Sequence, residues 1–362
     1  VTGILEFAAP TLMTVFNSIL TLGFENVSST IKVEIPKVVQ ATNAVYNTVM
    51  EKLLPTPSKS HYVFNLRDFA RVVRGVMLIA PTGNQKKSSI EDSDDIKSSF
   101  VRLWGHEILR VFYDRLVDDH DRNWFIGYLR EVVANDFSLN FDELFEYIAN
   151  DGKVDQESLR NCFFGDYMTS DDFDRADLKA DGKLTYVENK DTLVIIERME
   201  AYLKEYNSLS KSQMNLAMFL YAVEHTSRIC RVLKQPGSHM LNVGVGGSGR
   251  QSLSRLAAYI CSIEPFQIAV SKSYGLEEWK EDLRKLIRRA GGDGVETMFL
   301  FSDTQINDEV FVEDINNLLN TGEVPNLFPQ DEKPAVMEQA RLLAKKLKDP
   351  AANGESPQEL WD

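Results

Sequence analysis

The sequence predicts an α/β chain, with a helical subdomain first and a parallel-sheet subdomain carrying a phosphate loop second. Apolar residues recur at helical spacing through most of the first half. From His239 the pattern changes to short apolar strands alternating with helices. The first of those strands runs into Gly244-Val-Gly-Gly-Ser-Gly249, directly ahead of a helix. At 362 residues and 43% apolar content, the chain is long enough for two cores by the ~150-residue domain prior.

The elements follow in order. Val1 to Phe24 opens inside an apolar pattern without an initial Met, and Gln358 to Asp362 stops abruptly; both ends read as cuts through a longer polypeptide. Val38, Ala41, Val45, Val49 and Leu53 predict a helix over 36–53, with Pro36 in its first turn and Pro55 and Pro57 ending it. Asn65 is a fair cap for the next helix, whose stripe is Leu66, Phe69, Val72, Val76 and Ile79, closed by Pro81-Thr-Gly. Residues 83–95 are polar and read as a surface loop. Two amphipathic helices are expected at about 96–117 and 122–135. Residues 137–190 are acidic and mixed; Thr185-Tyr-Val and Leu193-Val-Ile-Ile alternate weakly enough to permit a small hairpin. Helical patterns return at 194–206 and 213–234.

In the second half, Met240-Leu-Asn-Val-Gly244 reads as a strand, Leu253–Cys261 as a helix and Phe266–Val270 as a strand. Tyr274–Ala290 reads as a helix with Leu276, Trp279, Leu283 and Leu286 on one side, and Thr297–Phe301 as a third strand. That alternation requires a parallel sheet with crossover helices. The expected division is a helical subdomain over 1–136, a linker with the hairpin over 137–206, and a large α/β subdomain over 207–362.

A net charge of −14 repels phosphate backbones and anionic bilayers, so neither nucleic acid nor membrane is an expected partner. No run approaches the ~20 apolar residues of a bilayer span. Cys162, Cys230 and Cys261 are dispersed and odd in number, which points to a reducing compartment and to packing thiols. His225 and Cys230 lack the paired spacing of a zinc site. The five histidines form no recognisable triad, the tryptophans read as core, and Lys345, Lys346 and Lys348 as the solvated face of a terminal helix.

Gly244, Val245, Gly246, Gly247, Ser248 and Gly249 let backbone N–H groups converge on an anion without Cβ obstruction, and the following helix adds its positive end. Aligned on the phosphate-loop pattern, Arg250 takes the Lys position and Gln251 the Ser/Thr position. Arg250 keeps the cation. Gln251 has no hydroxyl for magnesium, and Ser252, one position on, is rotated by about 100°. A glycine turn without a ligand is the alternative. At the end of the last strand, Ser302-Asp303 supplies one carboxylate where hydrolytic sites of this architecture carry two. Asp303 either joins a magnesium shell or caps the next turn.

Asp177-x-Lys179-x-Asp181-Gly182 with Glu188 has calcium-loop spacing, but Lys179 repels a cation and flanking helices are missing. A turn at Asp181-Gly182 is preferred.

Gly244–Ser252, Phe266–Gly275, Phe299–Ile306 and Glu313–Phe328 together resemble the fourth AAA+ module of an axonemal dynein heavy chain. Leu54–Asp68 (LPTPSKSHYVFNLRD) and Leu103–Leu116 (LWGHEILRVFYDRL) resemble the helical small subdomain closing the third module. The resemblance spans nearly the whole chain. It implies a helical AAA+ small subdomain followed by a P-loop AAA+ large subdomain, within a ring of six modules. The parent it implies is an ATP-driven, minus-end-directed microtubule motor of the cilium or flagellum axoneme, located in the cytoplasm and cytoskeleton. The partners it implies are the other modules of the same heavy chain, intermediate and light chains, and microtubules through a stalk outside these residues. It further implies ATP or ADP in a regulatory, weakly or non-hydrolytic site, with magnesium held through Ser252 and Asp303. A ring spacer with an empty loop is the alternative. Leu216, Ala217, Met218 and Phe219 match the family's adenine-lining segment, which periodicity shows only as an apolar helix start. Arg67 matches the arginine that small subdomains aim at their own module's phosphates; composition alone makes it a surface cation.

Overall fold

Helix α1 (Ala9–Gly23) and helix α2 (Ser29–Lys52) begin the fold by burying facing apolar stripes, Leu12, Phe16 and Leu20 on one and Ile31, Ile35, Val38, Val45 and Val49 on the other. The computed structural model describes residues 7–81, 87–93, 95–168, 184–271 and 273–347. It comprises two units, residues 1–204 with 217–237, and residues 205–216 with 238–362.

In the first unit, α2 starts at Ser29, so Pro36 lies inside the helix and not in its first turn. An interior proline costs about 3 kcal/mol. Full burial of Ile31 and Ile35, worth ~1.5–3 kcal/mol each, outweighs it. Helix α3 (Leu66–Val76) starts at the expected cap: Asn65 Oδ1 accepts from the Arg67 N–H at 2.9 Å, and Asp68 returns a bond to the Asn65 N–H at 3.0 Å. Its buried Phe69 stacks on Phe16 of α1 with ring centroids 4.3 Å apart. Helix α4 (Ile96–Val111) is buried on nearly every side, and Trp104 Nε1 donates to Thr42 Oγ1 at 2.9 Å. Helix α5 (Asp119–Val132) and the short α6 (Phe141–Leu144) complete the helical core, which also takes in Phe145, Val154, Leu159, Cys162 and Phe164.

The antiparallel pair is β1 (Phe163–Gly165) with β2 (Val187–Asn189). Leu193-Val-Ile-Ile196, read as alternating, lies instead in helix α7 (Thr192–Leu209), where Ile195, Met199 and Leu203 recur at helical spacing and are buried. Helix α8 (Leu220–Leu233) starts later than the pattern from 213 implies. The turn expected at Asp181-Gly182, and the calcium pattern around it, lie outside the described residues, as do Lys348 and residues 358–362. Glu188 is described, and its carboxylate takes a two-point contact from Arg102 Nε at 2.8 and 2.9 Å.

In the second unit, helix α9 (Arg250–Ile260) leads to β3 (Glu264–Phe266), helix α10 (Leu276–Ile287) and β4 (Thr297–Phe299). Strands β3 and β4 are parallel, with Glu264 opposite Thr297 and Phe266 opposite Phe299. The predicted crossover is therefore present, although β4 is shorter than the expected Thr297–Phe301 and β3 lies ahead of the expected Phe266–Val270, sharing only Phe266 with it. The first expected strand of this half, Met240 to Gly244, does not form: the segment has no ladder partner among the described residues, and Leu241 and Val243 are 87% and 83% exposed. A strand exists only as part of a ladder, whatever its composition. On α10, Trp279, Leu283 and Leu286 are buried, while Leu276, at the first turn, is exposed. Trp279 stacks on Phe311 of helix α11 (Glu309–Thr321) at 4.4 Å and donates Nε1–H to Asp314 at 2.8 Å. Helix α12 (Lys333–Leu347) ends the described chain, with Lys345 and Lys346 exposed. Among the described residues no helix is long and apolar enough to cross a membrane.

Candidate functional site

The glycine loop is shaped by two left-handed residues, Gly247 at φ 81° and Gly249 at φ 78°. Side-chain-bearing residues rarely adopt that region, so both glycines are required for the turn. The Ser248 N–H closes the loop on the Val245 carbonyl at 3.3 Å, and the Leu253 N–H picks up the Gly249 carbonyl at 2.8 Å to start α9. A Cβ on Gly244 would sit 2.9 Å from Ser248 Oγ and 3.4 Å from Arg250 Cδ. Glycine at 244 therefore lets the loop fold back and Arg250 lie across its base.

Gly249 has no side chain to cap α9, and no acidic residue lies in the first turn. The amides of Arg250, Gln251 and Ser252 precede the first intrahelical bond and lie at the positive end of the helix. Gly246 and Gly247 are exposed, as are Val245 and Gln251; Arg250 and Ser252 are half-buried. Ser248 Oγ is buried and has no hydrogen-bond partner among the described residues, which is costly unless a ligand or water supplies one.

Asp303 is exposed and opens a single 3₁₀ turn, Asp303–Gln305, after β4. The cap of that turn is Ser302, not Asp303: the Ser302 N–H donates to Gln305 Oε1 at 2.7 Å, and Gln305 Nε2 donates to the Ile268 carbonyl at 2.5 Å. This exchange fixes the backbone and leaves the Asp303 carboxylate outside it. Ser252 offers one neutral hydroxyl oxygen and Asp303 one carboxylate. Magnesium, which prefers six ligands and retains waters, is compatible with such a pair only when phosphate oxygens complete its shell. Among the described residues no group of three or more His, Cys, Asp or Glu converges as a metal site.

Leu216 belongs to the second unit, and Ala217, Met218 and Phe219 to the first. Met218 is buried, and Phe219 is 58% exposed and stacks on Tyr221 at 6.1 Å. The Arg67 side chain is exposed on α3 and makes no ion pair among the described residues. Cys162, Cys230 and Cys261 are buried and form no disulfide; burial pushes the Cys162 thiol up to about 12.

Sequence reasoning missed Asn242. Its Nδ2 donates to Ser254 Oγ at 3.1 Å, and Ser254 Oγ donates to the Arg250 carbonyl at 2.8 Å. The available signal was one amide side chain inside the apolar run Met240 to Val243.

Residues 214–362 match the family model described as P-loop containing dynein motor region D4, and residues 15–122 match the dynein heavy chain ATPase lid domain. The chain is 46% identical over 307 residues to dynein axonemal heavy chain 3 of Mus musculus, covering 85% of this chain and 7% of that protein. It is 43% identical over 296 residues to dynein axonemal heavy chain 2 of Mus musculus, covering 82% and 6%. To dynein axonemal heavy chain 1 of Rattus norvegicus it is 40% identical over 303 residues, covering 84% and 6%. The chain thus spans only about 7% of the length of the first of these relatives.

Proposed function

The chain belongs to the axonemal dynein heavy chains, and from that premise we propose that its glycine loop binds a nucleotide in a regulatory role, with little or no turnover. The observation that carries this reading is the N-terminus of α9 behind the left-handed Gly247 and Gly249, which has no side-chain cap and no acidic residue in its first turn. The polyphosphate tail sits against the amides of Gly246 to Ser252. Arg250 neutralises it as a guanidinium, which suits phosphate oxygens at two points. Magnesium, when bound, offsets charge on the terminal phosphates; Ser252 and Asp303 are the side chains offered to it.

Hydrolysis needs more than this. A hydroxyl is absent at Gln251, and the segment Ser302-Asp303 holds a single carboxylate. One carboxylate cannot both hold the metal shell and polarise water. The segment is thereby a nucleotide-responsive part of a longer motor. By membership, the parent moves toward microtubule minus ends, drives bending of the cilium or flagellum axoneme, and engages ring modules and accessory chains outside these residues. Arg67, exposed on α3, serves the phosphates of its own, third module, whose phosphate loop lies outside these residues.

Isothermal titration of the 362-residue chain with ADP and with ATP tests the reading. Binding by the wild type that is lost in Arg250→Ala supports it. Absence of binding by the wild type leaves the loop as a spacer, and ATP turnover of several per second rejects the non-hydrolytic role.

A further inference from the structure

We infer that Asn242 is a positioning residue for the phosphate loop, acting through Ser254; the inference rests on the nucleotide reading above. Among the described residues the segment entering the loop pairs with no strand, and Met240, Leu241, Val243 and Val245 are all exposed. A side-chain clasp joins it to α9. Asn242 Nδ2 donates to Ser254 Oγ at 3.1 Å, and that hydroxyl spends its own hydrogen on the Arg250 carbonyl at 2.8 Å. Ser254 is 2% exposed and Asn242 half-buried, so both bonds are sheltered from water.

The clasp spans the loop. Asn242 lies two residues before Gly244, and Ser254 lies one turn into α9, over the residue that supplies the cation. Its geometry also fixes the polarity of each group. The Ser254 hydrogen is committed to Arg250, so the hydroxyl accepts from Asn242, and residue 242 must be a donor. An aspartate there cannot donate and would add a negative charge at the base of an anion site. A leucine would suit the exposed, apolar character of the segment but drop the bond. The two ends of the loop would then separate, and the amides would no longer be held in convergence before a ligand arrives. Pre-organisation of this kind contributes to affinity by lowering the ordering cost of binding.

The test is ADP–magnesium titration of the full 362-residue chain, with amide exchange at residues 246–251 followed in the absence of nucleotide. Asn242→Leu is expected to weaken ADP about fivefold, equivalent to ~1 kcal/mol at 1.4 kcal/mol per tenfold, the net scale of one hydrogen bond. Exchange at the loop should quicken, while Tm shifts by less than ~2 °C, because the clasp buries no core side chain. Asn242→Asp should weaken ADP further than Asn242→Leu. Ser254→Ala should match Asn242→Leu, and Ser254→Thr, which keeps the hydroxyl, should retain most of the affinity. Unchanged affinity and unchanged exchange in Asn242→Leu would overturn the assignment while the wild type still binds ADP. A wild type that fails to bind ADP overturns the nucleotide reading itself. Equal losses in Ser254→Ala and Ser254→Thr, each with a large fall in Tm, would assign these residues to folding and overturn the positioning role.

Discussion

Arg231 on α8 donates from Nε to Glu107 on α4 at 2.8 Å, across 124 residues of sequence, and both side chains are buried. The same carboxylate faces His106 Nδ1 at 3.0 Å. Nearby, Arg228 of α8 holds Asp114 at 2.9 Å, and Arg160 holds Glu224 of α8 at 2.9 Å. Helix α8 is therefore keyed into the first unit by opposite charges as well as by Ala222, Val223 and Ile229. Apolar contact alone tolerates sliding, whereas a charge pair out of water does not, because an unpaired partner is expensive.

Arg231→Leu is accordingly expected to destabilise the chain by about 3–5 kcal/mol, since it strands a buried carboxylate. The double variant Glu107→Leu with Arg231→Leu should recover most of that loss. Denaturant unfolding followed by tryptophan fluorescence measures both. If the double variant were as unstable as the single one, the cost would come from packing and not from charge.

Gly75 is the floor beneath Glu107. A Cβ built on it would overlap Glu107 Oε2 and the carboxyl carbon. In an ordinary helix Gly→Ala gains up to about 1 kcal/mol. Here Gly75→Ala should lose at least ~2 kcal/mol, because a well-packed interior must shift and the Arg231 pair must stretch. A raised midpoint on thermal unfolding would contradict the packing described here.

The same cluster gives the first unit an acid limb. Burial depresses the His106 ring to about 4, against the pull of Glu107. Burial alone would raise Glu107, but Arg231 and the His106 contact override it and take the carboxyl down to about 2. His106 is kept neutral in the fold, so its contribution is complete above its unfolded value of 6.5 and is lost as pH falls from there toward 4. Glu107 is kept charged, so its contribution is present above 4.5 and is lost as pH falls toward 2. Both act in the same direction. Unfolding free energy should decline from about pH 6.5 downward, and the His106 ring resonance should titrate near 4. A ring midpoint at or above 6.5 would be incompatible with a buried neutral imidazole.

These relationships also show which features were legible in the residues. The start of α3 was readable because Asn65 and Asp68 cap it within a single turn. The loop was readable because Gly247 and Gly249 adopt the left-handed conformation that glycine, and few other residues, permits. Pro36 misled, because its local preference for a first turn yielded to the burial of Ile31 and Ile35. Met240 to Gly244 misled in the opposite way: strand-like composition, with no partner among the described residues, made no strand. Arg231 with Glu107, and Asn242 with Ser254, could not be paired from spacing at all, since each depends on which helix comes to lie beside which segment.

Gln251 supplies the sharpest test of how the loop treats magnesium. It stands exposed one residue after Arg250, where an oxygen of the first helical turn would face a metal held by the terminal phosphates. Its amide is longer than a hydroxyl and a weaker choice for a small, strictly octahedral ion. Ser252 has the hydroxyl but points about 100° around the helix. Gln251→Thr should therefore raise ATP affinity about tenfold in the presence of magnesium, or ~1.4 kcal/mol, and leave affinity in EDTA nearly unchanged. Turnover should stay low in that variant, because Asp303 remains the only carboxylate in Ser302-Asp303. Parallel titrations with and without magnesium, together with phosphate release, separate these effects. A gain of equal size in EDTA would mean that the threonine improves the loop's shape and that no metal stands beside residue 251.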